Sequence, residues 1–311
     1  MRRILLPVML LGSILSACAG SMPSISTAPA IPSQPSAIPS ATLVLNEKAP
    51  ALLAETDLDT QTGTAYSLDW SPDGETLAVA SGVEIILLSS DLEETLATLK
   101  PSSGALTATW SSDQKKFATV VGFRNSTISI WDWDPSTFTL TLAQEISAGS
   151  DQYGASWSPD GKLLATLAND RKSTIQIWDK STWEMLHKFD LPYENPRRAL
   201  NWSADSKTLF DAGELDGQLV VFGLNVANGE VQDLATLPLE QVFAVGISPD
   251  VEKFAVADEQ GKVRIFDVAS GDLLMEFQSV SQPVGLAWNP NGTSLAILGY
   301  KTALQLWKVV R

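Results

Sequence analysis

Residues 156–162 read S-W-S-P-D-G-K, an acidic residue in a Gly-containing turn just after a tryptophan. Taken alone, that Asp suits a metal ligand or a catalytic carboxylate. It also suits a tight turn, in which Pro pre-sets position i+1, Asp or Asn tolerates i+2, and Gly takes the strained position that follows. Five relatives of the stretch decide between the readings: LDWSPDG (68–74), ATWSSDQ (108–114), LNWSADS (200–206), VGISPDV (245–251) and LAWNPNG (286–292). A catalytic group is needed once, whereas a turn is needed in every repeat. The Asp is therefore read as structural. Gln114, Ser206 and Val251 stand where Gly is expected, and there the turn geometry must relax or cost free energy.

Aligned on the turn, the anchor residues are Trp70, Trp110, Trp157, Trp202, Ile247 and Trp288, spaced by 40, 47, 45, 45 and 41 residues. Such a period is that of a four-stranded propeller blade. After each turn comes a short apolar strand such as KLLATLA (162–168) or KFAVAD (253–258). A polar loop follows, then an alternating strand ending in a large residue: ISIWD (128–132), IQIWD (175–179), LVVFG (219–223), VRIFD (263–267) or LQLWK (304–308). Period-2 alternation of β-branched and aromatic residues is the pattern of a strand. A fourth segment leads to the next anchor, as in ETLATL (94–99) or DLLMEF (272–277).

The chain is therefore expected to be all-β, a six-bladed β-propeller of four-stranded antiparallel blades. After LQLWKVVR (304–311) nothing remains to supply the last blade's fourth strand, and ALLAET (51–56) stands at the right offset before Trp70. An N-terminal strand completing the C-terminal blade would close the ring and remove exposed edges. Six is the economical count, and a seventh blade drawing on residues 43–50 is the alternative, though short of residues. The repeat resembles a WD-repeat propeller blade, and the S-P-D-G turns are also similar to periplasmic propellers of the TolB type. The Gly-His dipeptide of WD repeats is absent and the chain has one histidine, His187, so the His-based polar tetrad of that family carries over to no blade.

The first residues, MRRILLPVMLLGSILSACAG, have the layout of an export signal: Arg2 and Arg3, an apolar run too short to span a membrane, then small residues. Cys18, the chain's only cysteine, sits at the expected cut. L-S-A-C resembles the lipobox of bacterial lipoproteins, in which this Cys is lipidated and becomes the first residue. With one Cys no intramolecular disulfide is available, so the fold must rest on its core. Stable lipid anchoring takes two acyl chains, which the diacylglyceryl group implied by that resemblance supplies. Residues 19–42 are uncharged and dominated by Pro, Ser and Ala, with nothing to bury, and read as a tether reaching about 75 Å if extended. The expected organisation is a signal peptide at 1–17, a lipid-anchored tether at 18–45 and the propeller at 46–311. The protein is expected to be exported and held on a bacterial membrane, facing the periplasm or the exterior.

Lys and Arg number 21 against 36 Asp and Glu, a net charge of −15, which repels phosphate backbones and argues against nucleic-acid binding. No G-x-S-x-G, H-E-x-x-H or phosphate-binding Gly-rich loop occurs. One His builds no multi-His metal site, and His187 reads as a solvent-facing strand residue. No cofactor or metal site is expected. DLDTQTG (57–63) lacks the spacing and terminal Glu of a calcium loop. Five tryptophans are anchors and three (Trp131, Trp178, Trp307) end third strands, while Trp133 and Trp183 are left as exposed platforms or, preferably, as residues half-buried under a loop. The loops before each innermost strand and those between second and third strands share one face. They gather Arg124, Arg171, Lys172, Arg197 and Arg198, with Phe123, Tyr153 and Tyr193 interleaved. Arg and Tyr are typical interface anchors, so this face is expected to bind a protein, peptide or glycan without catalysis. The alternatives are a hydrolase or lactonase with an axial divalent ion, and a subunit of an envelope assembly machinery.

Overall fold

A computed structural model describes residues 49–121, 127–169, 173–195, 197–237 and 242–309. The segments expected to form a signal peptide and a tether lie outside these with Cys18, as do Phe123, Arg124, Arg171 and Lys172. The described residues form twenty-four strands and no helix. β1 is Ala51–Asp57. Blade 1 follows with β2 (Ser67–Trp70), β3 (Thr76–Ala80), β4 (Ile85–Ser89) and β5 (Thr95–Leu99). Blade 2 has β6 (Thr107–Trp110), β7 (Lys116–Val120), β8 (Thr127–Asp134) and β9 (Thr139–Ser147). Blade 3 has β10 (Gln152–Trp157), β11 (Leu163–Asn169), β12 (Ser173–Asp179) and β13 (Met185–Asp190). Blade 4 has β14 (Asn201–Trp202), β15 (Thr208–Leu215), β16 (Gln218–Asn225) and β17 (Val231–Leu237). Blade 5 has β18 (Val242–Ile247), β19 (Lys253–Asp258), β20 (Lys262–Asp267) and β21 (Leu273–Gln278). Blade 6 has β22 (Pro283–Trp288), β23 (Ser294–Gly299) and β24 (Ala303–Lys308), and its fourth strand is β1, antiparallel to β24 with Glu55 opposite Gln305.

The six-bladed ring closed by an N-terminal strand is thus the observed architecture. Each blade is sandwiched between two others, so its middle strands are buried on both faces and read as near-continuous apolar runs. TLAVA in β3 and IILLS in β4 are examples. The outermost strands lie open, as in the largely exposed β13. Six apolar clusters form the core, and each lies between two adjacent blades. One joins Leu77, Val79, Ile86 and Leu88 of blade 1 to Ala296, Leu298, Leu304 and Leu306 of blade 6, closing the ring. The other five couple blades 1 and 2, 2 and 3, 3 and 4, 4 and 5, and 5 and 6.

The anchors are wedges in these interfaces. The Trp70 indole N–H donates to Ala287 O at 3.2 Å, Trp202 to Ser156 O at 3.1 Å and Trp288 to Gly246 O at 3.1 Å. In each case the acceptor belongs to the innermost strand of the preceding blade. Trp131 and Trp178 instead bond within their own blades, to Thr119 and Thr166. Trp133 is buried in β8, edge-on to Trp110 and Phe117. Trp183 is half-buried beside Trp157. His187 is exposed and stacked on Phe189.

The repeated turn is a hydrogen-bond device. Ser71, Ser111, Ser158, Ser203 and Ser248 donate to Asp73, Asp113, Asp160, Asp205 and Asp250 at 2.6–2.7 Å. Each carboxylate also accepts a backbone N–H two residues on. These bonds hold the five carboxyls below the usual Asp range, against partial burial that pushes most of them upward. The geometry does not relax where Gly is missing: Gln114, Ser206 and Val251 have φ of 56°, 60° and 60°, against 76°, 70° and 69° at Gly74, Gly161 and Gly292. Each exception gains a contact across a blade boundary. Gln114 lies close enough to Asp73 to help hold its carboxyl down, Ser206 accepts the Asp160 N–H at 3.1 Å, and Val251 packs into the core between blades 4 and 5. Where Gly is kept, the neighbouring blade comes close instead. A Cβ at Gly161 would sit 2.8 Å from the Ser112 Oγ. Gly161→Ala is therefore expected to cost about 1–2 kcal/mol through φ and crowding together, measured by denaturant unfolding. Ser206→Gly should stay within about 1 kcal/mol of wild type, since relief of φ offsets one lost hydrogen bond.

Candidate functional site

All six innermost strands run in the same direction, so one mouth of the central channel is framed by the segments entering them and the other by the turns leaving them. The channel has a volume of about 520 Å³. Pro72, Pro159, Pro249 and Pro290 of the repeated turns stand at its exit end. A second cavity of about 400 Å³ continues it at the other end, lined by Tyr153, Asn195, Arg197, Arg198, Phe243, Pro283 and Val284. Volumes of this size are those of small-ligand sites.

Of the expected binding residues that are described, three converge here. Arg198 lies over the Tyr153 ring, 5.2 Å from guanidinium carbon to centroid. Such a cation–π contact strengthens as water is excluded. Arg198 is exposed, yet enough protein surrounds its head for desolvation to lower its pKa, with Tyr153 opposing that shift. Among the described residues it has no ion-pair partner. Arg197 points differently. Its side chain is 20% exposed, its Nη2 lies 3.7 Å from Glu214, and its Nε is buried with no hydrogen-bond partner among the described residues. Desolvation lowers its pKa, while Glu214 and Asp211 oppose the shift.

Tyr193 does not belong to the face. It is 2% exposed, stacked on Phe222 at 4.2 Å, and its hydroxyl donates to Asp233. Burial and that carboxylate push its pKa well up. The ring fills the core between blades 3 and 4, where Gly213 makes room: a Cβ there would lie 2.7 Å from the Tyr193 Cβ. Its place in the polar run YENPRR concealed this. Y-E-N-P-R-R reads as loop, but Ser173 and Leu191 tie its start to β12 through backbone hydrogen bonds.

Blade 4 departs from the other five at this mouth. β14 has only two residues, whereas the other innermost strands have four to six. Ahead of it, Asn195 and Arg198 hold φ of 45° and 59°, conformations that cost non-Gly residues free energy and persist only when their surroundings impose them. Asp211 of β15, fully buried, braces the end of this segment: its Oδ1 accepts the Ala199 N–H at 2.9 Å. Arg197 N–H donates to Ala212 O nearby. Among the described residues the Asp211 Oδ2 has no hydrogen-bond partner, and burial raises the carboxyl to about 7 against the lowering effect of two backbone N–H groups and Arg197. Asp69 in β2 is a second buried carboxylate. It accepts Thr109 Oγ1 at 2.8 Å and Trp110 N–H at 2.9 Å from blade 2, and burial raises it to about 6. No three His, Cys, Asp or Glu side chains among the described residues gather into a metal-ligating group.

Phe243, Pro283, Val284 and Asn195 join the mouth without having been expected there. A signal for them exists in the repeat: four positions before each anchor stand Tyr66, Leu106, Tyr153, Arg198, Phe243 and Val284, one from each blade. Asp211 carries a pH signature. Its folded pKa is raised, so between about pH 4 and about pH 7 the folded state holds more protons than the unfolded state, and stability falls as pH rises. Asp211→Asn should flatten part of that fall, leaving the share due to Asp69. Thermal melts between pH 5 and pH 8 measure it, and an unchanged slope would contradict the assignment.

A model of the eukaryotic translation initiation factor eIF2A family matches residues 83–212, less than half of the chain and spanning β4 to β15. No curated protein matches the chain in sequence. Among solved structures, it is similar to the β-propeller domain of Myceliophteria thermophila Cps50 (Swd1), with a TM-score of 0.58 and 16% identity over 79% of this chain and 83% of that one. At that identity the likeness is one of fold: the chain is a six-bladed β-propeller of four-stranded blades.

Proposed function

We propose that the protein is a non-enzymatic recognition module, exported and tethered to a bacterial membrane by a lipid on Cys18, that binds a protein, peptide or glycan through the channel mouth and the loops around it. The observation that carries the reading is the mouth itself. A strained segment, held by a buried carboxylate, presents Arg198 beside Tyr153 and the exposed Phe243. Rigid aromatic and Arg groups in a recess are what interfaces use as energetic anchors. The buried carboxylates Asp69 and Asp211 are engaged with backbone N–H groups, of Trp110 in β6 and of Ala199 ahead of β14, which favours a structural role for both over acid–base work. The tether reading rests on the lipobox-like L-S-A-C and the uncharged Pro/Ser run.

Two measurements test it. Cys18→Ala should move the protein from the membrane pellet to the soluble fraction on fractionation. Unchanged membrane association would remove the lipid anchor. Arg198→Glu should weaken binding of a partner identified by crosslinking from membranes by about tenfold or more while leaving the melting curve in place. Retained affinity would remove the mouth from the interface. Elemental analysis of the pure protein separates this reading from an axial-metal hydrolase.

A further inference from the structure

The ring of residues four positions before the anchors has a composition of its own. Tyr66, Tyr153 and Phe243 supply three aromatic faces, Leu106 and Val284 two aliphatic ones, and Arg198 the one charge. Tyr66, Tyr153, Arg198 and Val284 line the channel, and Phe243 lines the cavity that continues it. Phe243 is 45% exposed, a large apolar surface left open to solvent. Among the described residues the Arg198 guanidinium has no ion-pair partner, and the pairing it accepts best is a planar carboxylate, bound through two parallel N–H···O bonds. Arg197, one residue away, borders the same cavity but is turned toward Glu214, which leaves Arg198 as the cation that faces a ligand.

We propose that the channel mouth is a binding site for a carboxylate carried on an apolar group, whether the C-terminal residue of a partner chain or a free organic acid. The inference rests on the proposed recognition role and names the chemistry of what is recognised. The aromatic collar covers the apolar part of the ligand while Arg198 takes the carboxylate. The overall negative charge of the chain opposes the approach of an anion at long range. Added salt screens that repulsion more than it screens the close, half-desolvated pair, so moderate salt should speed association.

The test titrates the purified protein with N-acetylphenylalanine, benzoate, N-acetylphenylalaninamide and inorganic phosphate, following the Arg198 Nε–H resonance and binding heat. A saturable response to either acid, with the amide and phosphate weaker by about tenfold or more, is expected from the loss of a charge-assisted contact. Preference between the two acids identifies a chain end or a free acid as the source. Arg198→Met, which keeps the stem and removes the charge, should abolish the preference for acid over amide without moving the melting curve. Arg198→Lys should restore part of it. Equal binding of acid and amide, equal binding of phosphate, or no saturable response to either acid would each overturn the proposal. Acid binding that survives alongside a partner insensitive to Arg198→Glu would instead sink the proposed recognition role and leave this site standing.

Discussion

The Trp70 indole reaches across a blade boundary to the Ala287 carbonyl, and the same reach recurs from Trp202 and Trp288. A four-stranded antiparallel blade has two apolar faces and no core of its own. Its middle strands can be buried only by the blades on either side. Every apolar cluster therefore sits between blades, and the cluster joining blades 1 and 6 completes the set. With β1 paired to β24, the ring closes by strand addition as well as by packing. Polar contacts reinforce the boundaries: Asp69 with Thr109 and the Trp110 N–H, Asn201 with Ile247 O and Ser248 O, and Asn289 with Gly74 O.

Such a ring fixes where variation is tolerated. Five blades bring innermost strands of four or more residues to the channel, and blade 4 gives up most of its own. Asp211 accepts the Ala199 N–H, and the segment before β14 bows with two non-Gly residues at positive φ. That exchange replaces ladder hydrogen bonds with a buried, partly unsatisfied acid, which is unfavourable for stability taken alone. Strain of this kind concentrates at functional positions, and here it coincides with the only charge in the collar.

The repeated elements were legible because their signals recur from blade to blade. Anchors, turns, third strands and the closing strand ALLAET are found within a residue or two of where the pattern places them, and β19 coincides with KFAVAD. The turn glycines were readable as a need for positive φ. That Gln114, Ser206 and Val251 keep positive φ was not, because their compensation comes from a neighbouring blade some 40 residues away in sequence. The mouth was half legible. Tyr153, Arg197 and Arg198 come together, but Tyr193 lies in the core because Gly213 opens a pocket for it, a long-range relation invisible in YENPRR. Arg197 and Arg198, adjacent in sequence and alike in type, diverge: one turns toward Glu214 and Asp211, the other lies over Tyr153. Backbone conformation at Arg198 separates them, and no periodicity encodes that.

The division of labour between these two arginines tests the arrangement most directly. Phenylglyoxal labelling of the folded protein, followed residue by residue by mass spectrometry, reads guanidinium accessibility. Arg198 should react rapidly and Arg197 several-fold more slowly, with the difference erased by Asp211→Ala, which frees the Ala199 N–H and releases the segment. Equal reactivity of the two in the wild-type protein would contradict a locked segment presenting Arg198 alone.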